Sequence, residues 1–184
     1  MAIQKTSSED ILKESAKLFK IKGYYNTKMS DIASACGVLK GSIYHHFKSK
    51  EEIGLESLKF IHKYFNDEIF AISSSNLESL AKIKLMVKKI DDYFLNSEGG
   101  CLLGNLALEV TWSNQQFKEE IQEYFLNWEK SLYILFQEKF NENEASELSK
   151  EFVALIQGEI MMMNLYDDKQ RYLRVGKKII RLFE

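Results

Sequence analysis

The sequence contains no proline, only two cysteines and no long uninterrupted run of apolar residues in its 184 positions. Because proline is absent, no residue removes the backbone donor that a helix interior needs, and the abundant Leu, Lys and Glu favour helices. The apolar runs are far shorter than the roughly 20 residues that span a bilayer. These absences predict an all-α protein without a membrane-spanning segment.

The two cysteines, Cys36 and Cys101, lie far apart and match no zinc-binding spacing. Two cysteines are too few for a disulfide framework, and the N-terminal residues Met1–Lys5 contain no apolar signal core. The sequence also lacks a glycine-rich phosphate loop, an HExxH motif and a nucleophile elbow. We therefore expect a cytoplasmic protein that is not an enzyme and holds neither a metal nor a cofactor.

Charge is distributed unevenly along the chain. Residues 1–50 contain nine lysines and four acidic residues, a net charge of +5, whereas residues 51–184 carry −7. A basic segment on an acidic protein favours contact with a polyanion at that segment, because neutralising phosphates releases counterions. A chance surplus of solvated lysines would give the same count, so the charge alone does not decide.

Helical periodicity is clear at the start of the chain. Apolar residues recur at steps of three and four, at Ile11, Leu12, Ala16, Leu18 and Phe19. A first helix is predicted over about 8–22, with a capping box formed by Thr6 and Glu9 or by Ser7 and Asp10, and with Gly23 as its end.

Two short helices are predicted to follow. Thr27 would cap the second helix, whose inward face is Met29, Ile32, Ala33 and Cys36. After a break at Gly37, a third helix would run from about Lys40 to Phe47, with Ile43 and Phe47 inward. Its outward face carries Lys40, Ser42, Tyr44 and His45. Two short helices joined by a tight glycine-containing turn form a helix-turn-helix, and a capping box of Ser49 and Glu52 would start a long fourth helix.

The segment contains a series of residues at fixed spacing: Ile11-Leu12, Leu18-Phe19, Gly23-Tyr24, Thr27, Asp31-Ile32-Ala33, Gly37-Val38, the run from Lys40 to Phe47, and Ser49-Lys50-Glu51-Glu52. Together these residues resemble the DNA-binding head of the TetR family of bacterial transcriptional regulators. The resemblance implies a three-helix head at residues 1–50, and a C-terminal sensing and dimerisation bundle at 51–184, with about nine helices in total.

The resemblance also implies which residues meet a double-stranded DNA operator. The expected DNA-binding residues are Thr27, Lys28, Leu39, Lys40, Ser42, Tyr44, His45 and Lys50. Leu39 stands where the family usually has a small or hydroxyl cap residue, so it could instead contact a thymine methyl group. Tyr44 could simply pack between helices, and a structural interaction protein on the same scaffold would bind no operator. Repression is the expected output, with activation left open.

The rest of the chain predicts five long helices, over 77–96, 101–113, 114–140, 144–167 and 169–183. One DNA-reading head makes too few contacts for useful specificity, so a homodimer is expected. The candidate dimer residues lie on the last two helices: Phe152, Leu155, Ile156, Gly158, Ile160, Leu173 and Ile180. The alternative is that these apolar stripes only complete the core of one chain.

The segment from Gly100 to Glu109 resembles a motif of a TetR subgroup that includes sensors of electrophiles. Cys101 would lie at a helix N-terminus, which favours the thiolate, although an apolar segment more often holds an inert cysteine. A thiol enzyme using Cys101 is a further alternative, with His62 as the one histidine outside the recognition segment. If the effector binds without covalent chemistry, Asn105, Trp112, Tyr64, Phe94 and Met162 are candidates to line its pocket.

Overall fold

The structure is a computed structural model that describes residues 6–184. The segment Met1–Lys5, in which we found no apolar signal core, lies outside the described residues. Over residues 6–184 the chain forms nine α-helices, one 3-10 helix and no strand, so the all-α prediction is confirmed. The α-helices are α1 (Ser8–Lys22), α2 (Met29–Ala35), α3 (Lys40–Tyr44), α4 (Lys50–Glu68), α5 (Ser79–Leu95), α6 (Leu102–Val110), α7 (Gln115–Phe136), α8 (Glu142–Tyr166) and α9 (Lys169–Arg181). None of the described helices is long and apolar enough to cross a membrane.

The chain divides into two compact units. The first unit contains the residues up to His62 together with Leu102–Ile121, and the second contains Lys63–Cys101 and Gln122–Glu184. The helix-turn-helix and α6 therefore belong to the same unit. The functional division of the chain at residue 50, into DNA binding and sensing, stays a prediction.

Helix α1 begins and ends where its sequence predicts. The hydroxyl of Ser7 accepts a hydrogen bond from the backbone N–H of Asp10 (3.1 Å), and the Asp10 carboxylate accepts one from the backbone N–H of Ser7 (3.1 Å). This reciprocal pair is a capping box, which satisfies two backbone donors that the helix leaves open. The helix ends at Gly23, whose positive φ of 81° is a conformation that suits glycine.

The start of α2 differs from the prediction. Thr27 is buried and its hydroxyl donates to the carbonyl oxygen of Gly23 (2.8 Å), so Thr27 does not cap the helix. The N-cap is Lys28, and its backbone N–H is held by the carboxylate of Asp31 at 3.0 Å. Of the predicted inward residues, Ile32 and Ala33 are buried, whereas Met29 and Cys36 are only half-buried. Cys36, which was predicted to face the core, is therefore only partly covered by it.

Buried apolar residues from α1, α2, α3 and the start of α4 form the core of the first unit: Ile11, Phe19, Ile32, Ile43 and Ile53. Packing is closest at Gly54 in α4, where an added Cβ would lie 2.6 Å from Phe117 and 2.9 Å from Tyr24. A side chain at position 54 would therefore push α4 away from α7 and from the turn that follows α1.

An aromatic cluster fills the second unit. The ring of Phe65 lies 4.8 Å from that of Tyr93, 5.3 Å from that of Tyr124 and 5.8 Å from that of Trp128, measured between centroids. Phe94 stacks on Trp128 at 6.3 Å. Such pairs add about 0.5–1.5 kcal/mol each beyond the area they bury, so they favour one packing arrangement.

Helix α9 packs against α8 and α5 within the second unit. Gly176 allows the close approach to α5, because an added Cβ would lie 2.5 Å from a methyl group of Val87. The predicted helices of this part of the chain are present, but the 3-10 helix at Phe70–Ser74 was missed and α6 ends at Val110 rather than at Ser113.

Candidate nucleic-acid interface

A tight turn joins α2 to the short helix α3. Gly37 has a φ of 66°, and its N–H donates to the carbonyl oxygen of Ser34 (3.1 Å), while that of Val38 donates to Ala33 (3.0 Å). Ile43 of α3 and Phe47 after it are buried, as predicted. The two helices thus form a helix-turn-helix, although α3 ends at Tyr44, three residues earlier than predicted.

The outward side of α3 presents the chemistry that DNA recognition needs. Leu39, the N-cap, is 81% exposed and makes no side-chain cap, as its sequence predicts. Lys40, Tyr44 and His45 are exposed and Ser42 is half-buried. Tyr44 does not fill the core, and the ammonium of Lys40 lies 5.8 Å from the centroid of its ring. This face combines a cation, hydroxyl groups, an imidazole and an apolar side chain.

The lysines of this region differ in their partners. Lys13 and Lys17 on α1 form ion pairs with Glu9 and Glu14, both at 2.6 Å. Across residues 6–184, by contrast, no carboxylate lies within ion-pair distance of Lys28, Lys40 or Lys48. Near the helix-turn-helix, these three ammonium groups, at the N-cap of α2, on α3 and directly after α3, therefore remain available to a polyanion.

The side chains of two expected DNA-binding residues make contacts within the chain instead of lying on the exposed face of α3. Thr27 is buried, with its hydroxyl bonded to the Gly23 carbonyl, so its side chain does not reach the surface. Lys50 donates to the carbonyl oxygen of Tyr24 (2.9 Å) and lies 4.4 Å from the centroid of the Tyr24 ring. Burial lowers the pKa of Lys50, opposed by the charge of Glu109. Both side chains fix the turn before α2.

The candidate sensing residues are divided between the two units. Asn105 and Trp112 belong to the first unit, where the Trp112 side chain is 94% exposed. Tyr64 and Phe94 both contact Phe65 in the second unit. Met162 is half-buried on α8. That these five residues line one effector pocket stays a prediction.

Cys101 directly precedes α6, as predicted, and its side chain is buried. It interacts with the hydroxyl group of Tyr124, and Tyr93 and Tyr172 are also close enough to interact with it electrostatically. His62, the histidine considered as its base, contacts the carboxylate of Glu120 at 2.7 Å. The surroundings of Cys101 are those of a packed side chain.

The second unit also has a cleft that sequence reasoning missed. It has a volume of about 620 Å³, within the range of ligand sites, and Phe94 forms part of its wall. Its other residues come from the end of α5 and the segment after it, which includes Glu98, and from the end of α8 to the start of α9, which includes Asn164 and Lys169. No local pattern marks this cleft, because its two walls are about 70 residues apart in the chain.

The candidate dimer residues fall into two groups. Phe152, Ile156 and Ile160 are buried inside the chain, so they belong to its own core and were wrongly placed on a dimer surface. Leu155, Gly158, Leu173 and Ile180 are only half-buried. An apolar stripe that is exposed or half-buried remains on another face of α8, formed by Ala154, Leu155, Gly158, Met161, Met162 and Leu165.

Comparison with known proteins agrees with this architecture. The family described as "Bacterial regulatory proteins, tetR family" matches residues 11–56, and the family "Transcriptional regulator LmrA/YxaF-like, C-terminal domain" matches residues 79–178. The chain is 29% identical over 177 residues to the uncharacterized HTH-type transcriptional regulator YxaF of Bacillus subtilis, covering 94% of this chain and 93% of YxaF.

Two further similarities extend over most of the chain. The transcriptional repressor DhaR of Mycobacterium sp. is 28% identical over 174 residues, covering 88% of this chain and 84% of DhaR. A TetR transcriptional regulator from Legionella pneumophila has the same fold, with a TM-score of 0.86, 24% identity and 99% coverage of both chains.

Proposed function

The chain belongs to the TetR family of bacterial regulatory proteins, and from this premise we propose that it is a repressor that binds a DNA operator as a homodimer. The exposed lysines Lys28 and Lys40, whose ammonium groups form no ion pair within the described residues, carry this proposal. Cations that are not neutralised within the protein are free to bind phosphates and release counterions. DhaR, a relative over most of the chain, is named as a repressor.

Recognition is assigned to the outward side of α3. Lys40 and Ser42 contact base edges or flanking phosphates, and Tyr44 and His45 contact phosphate and sugar, since short helices of this motif enter the major groove. Leu39 is exposed and apolar, which suits a thymine methyl group. Lys28 contacts a phosphate beside the motif. Thr27 and Lys50 support the motif from within.

Dimerisation is assigned to the exposed apolar stripe of α8, together with the half-buried Leu173 and Ile180 of α9. Large apolar side chains that remain exposed on one helix face mark protein interfaces. Met161 and Leu165 are more than half exposed. Gly158 lies on the same stripe, and apart from its own helix turn no atom of residues 6–184 lies within 4 Å of the position of its missing Cβ, so a partner helix can approach there.

The effector is proposed to bind without covalent chemistry, in the second unit. The cleft beside Phe94 has a suitable volume, and its wall combines this aromatic ring with polar side chains such as Asn164 and Lys169. An aromatic or otherwise planar effector that stacks on Phe94 and carries polar groups fits this cleft.

A covalent signal at Cys101 is the second candidate. Its place before α6 favours a reactive thiolate, whereas its burial beside Tyr124 favours a packing role. If a mild electrophile releases the wild type from DNA but not the Cys101→Ser variant, the thiol is the sensor. If neither protein is released, the non-covalent effector stands.

DNA binding by α3 is tested by titration at several salt concentrations. The proteins compared are wild type, Lys40→Ala and Lys84→Ala. The DNA is the region flanking the gene of the protein, together with genomic fragments that the wild type retains. We expect Lys40→Ala to weaken binding and to lower the slope of log affinity against log salt by about 1 for each phosphate that the variant no longer binds. Lys84, exposed on α5, is the matched control. Equal binding by both variants would contradict the assignment.

A further inference from the structure

Helix α6 holds the turn between α1 and α2 through side chains on one of its faces. The amide nitrogen of Asn105 donates to the carbonyl oxygen of Lys20 at 3.3 Å. One helical turn later, the carboxylate of Glu109 accepts the backbone N–H of Tyr24 at 2.8 Å and that of Tyr25 at 2.7 Å. Ser113, after the end of α6, shares a hydrogen bond with the hydroxyl of Tyr25.

The carboxylate of Glu109 accounts for the glycine at position 23. An added Cβ on Gly23 would lie 3.1 and 3.2 Å from the two carboxylate oxygens, and the φ of 81° disfavours any other residue. Glycine therefore serves two purposes there: it ends α1 and it leaves room for the carboxylate. Hydrogen bonds from N–H groups to a charged acceptor are stronger than those between neutral groups.

The same turn is held from a second side by α4. Lys50 donates to the carbonyl oxygens of Tyr24 and Tyr25, at 2.9 and 3.5 Å. The two N–H groups of the turn are thus held by α6 and its two carbonyl groups by α4. The Tyr24 ring packs edge-on against Phe117 at 5.2 Å, which leaves little freedom for the turn to shift.

This turn leads directly into the helix-turn-helix. Thr27 is anchored to it by the bond from its hydroxyl to Gly23, and α2 begins at Met29. Because α2 packs against α3, the position of the turn sets the position of both helices relative to α6. The first unit therefore contains a direct mechanical connection between α6 and the residues proposed to contact DNA.

We propose that Glu109 is a positioning residue for DNA binding, whose carboxylate fixes the turn before α2 and so couples the position of α6 to that of the helix-turn-helix. This inference rests on the proposed function, since it assumes that α2 and α3 bind an operator. Sequence reasoning did not find Glu109, because its partners are backbone atoms some 85 positions away.

The Glu109→Gln variant tests the proposal. The amide keeps the size of the side chain but retains only one acceptor oxygen, and its NH₂ group would face a backbone N–H. We expect operator affinity to fall about tenfold, which corresponds to one charge-assisted hydrogen bond, while binding to nonspecific DNA stays unchanged. Hydrogen exchange at Tyr24 and Tyr25 should accelerate. Glu123→Gln, on the exposed side of α7, is the control for loss of charge.

Four other results would overturn the inference. If Glu109→Gln binds the operator as tightly as wild type, the carboxylate does not position the motif. If operator and nonspecific binding fall equally, or if the variant loses its helical structure, the role of Glu109 is only structural. If wild type itself retains no DNA, the proposed function fails and this inference fails with it. That result differs from the others, because in them wild type still binds the operator.

Discussion

At the scale of single residues, the same side chain type serves different purposes according to its surroundings. Lys50 is half-buried and holds two carbonyl groups, whereas Lys40 projects from α3 beside the Tyr44 ring. The two tryptophans differ in the same way. Trp128 is buried within the aromatic cluster of the second unit, and Trp112 is almost fully exposed. These contrasts make single residues useful as local probes.

Tryptophan fluorescence should separate the two indoles. In the Trp112→Phe variant the remaining emission comes from Trp128, which is shielded from water, so we expect a shorter emission maximum and strong protection from iodide quenching. The Trp128→Phe variant should show the opposite behaviour. A water-like, readily quenched emission from Trp112→Phe would contradict the buried position of Trp128.

The single-tryptophan protein also reports on the proposed effector site. Because the indole of Trp128 stacks on Phe94 beside the cleft, a planar ligand that enters there should change its emission in a saturable manner. Candidate ligands can be screened by this signal and then tested for release of DNA. Ligands that release the protein from DNA without any change in Trp128 emission would place the effector elsewhere.

At the scale of helices, sequence periodicity predicted which faces of a helix are apolar. It did not predict whether each apolar face packs against a helix of the same chain. Helix α1 was predicted to within its end residues, because a capping box and a glycine mark both ends. Helix α8 carries apolar residues on more than one face, and periodicity could not tell which face is covered by α9, so Phe152 and Ile160 were misassigned. Thr27 was misassigned because its hydroxyl has a competing partner in the Gly23 carbonyl.

The packing of α5 against α9 creates a pH-dependent contribution to stability. Burial raises the pKa of Asp91 to about 6, although a hydrogen bond with Tyr172 opposes the shift. A carboxyl whose pKa is raised in the folded state stabilises the fold at low pH, and this contribution is lost as the pH rises from about 4 to about 6. The Asp91→Asn variant lacks the titrating group.

Chemical unfolding of wild type and Asp91→Asn at pH 4.5 and pH 7.5 measures this effect. We expect the variant to gain about 1 kcal/mol relative to wild type between the lower and the higher pH, a value reduced for the partial exposure of the carboxyl. Glu123→Gln, at an exposed position of α7, controls for the loss of a negative charge, because Asp92 itself helps to raise the pKa of Asp91. A difference between Asp91→Asn and wild type that does not change with pH would contradict the buried state of Asp91.

At the scale of the whole molecule, the proposed function requires two chains on one operator. The exposed stripe of α8 is the surface assigned to this association. Met161→Glu combined with Leu165→Glu should convert the dimer to monomers, because two charges would be buried in an apolar contact without partners. Both side chains are exposed within the chain, so the fold of each chain should survive.

Sedimentation velocity of this double variant measures the change in oligomeric state. Leu126→Glu, at an exposed leucine of α7, is the matched control and should remain a dimer. If the α8 double variant sediments as wild type does, the stripe is not the interface. If Leu126→Glu also dissociates, the effect of added charge is not specific to α8.

The measurement that tests the central claim most directly is the mass of the complex between the wild-type protein and a retained genomic DNA fragment, determined at single-molecule resolution. The account predicts two chains on each fragment, with no complex formed at the same concentration by the protein that carries Lys40→Ala and Lys28→Ala together. A complex with one chain would contradict the dimer, and equal retention of wild type and the double variant would contradict recognition through α3.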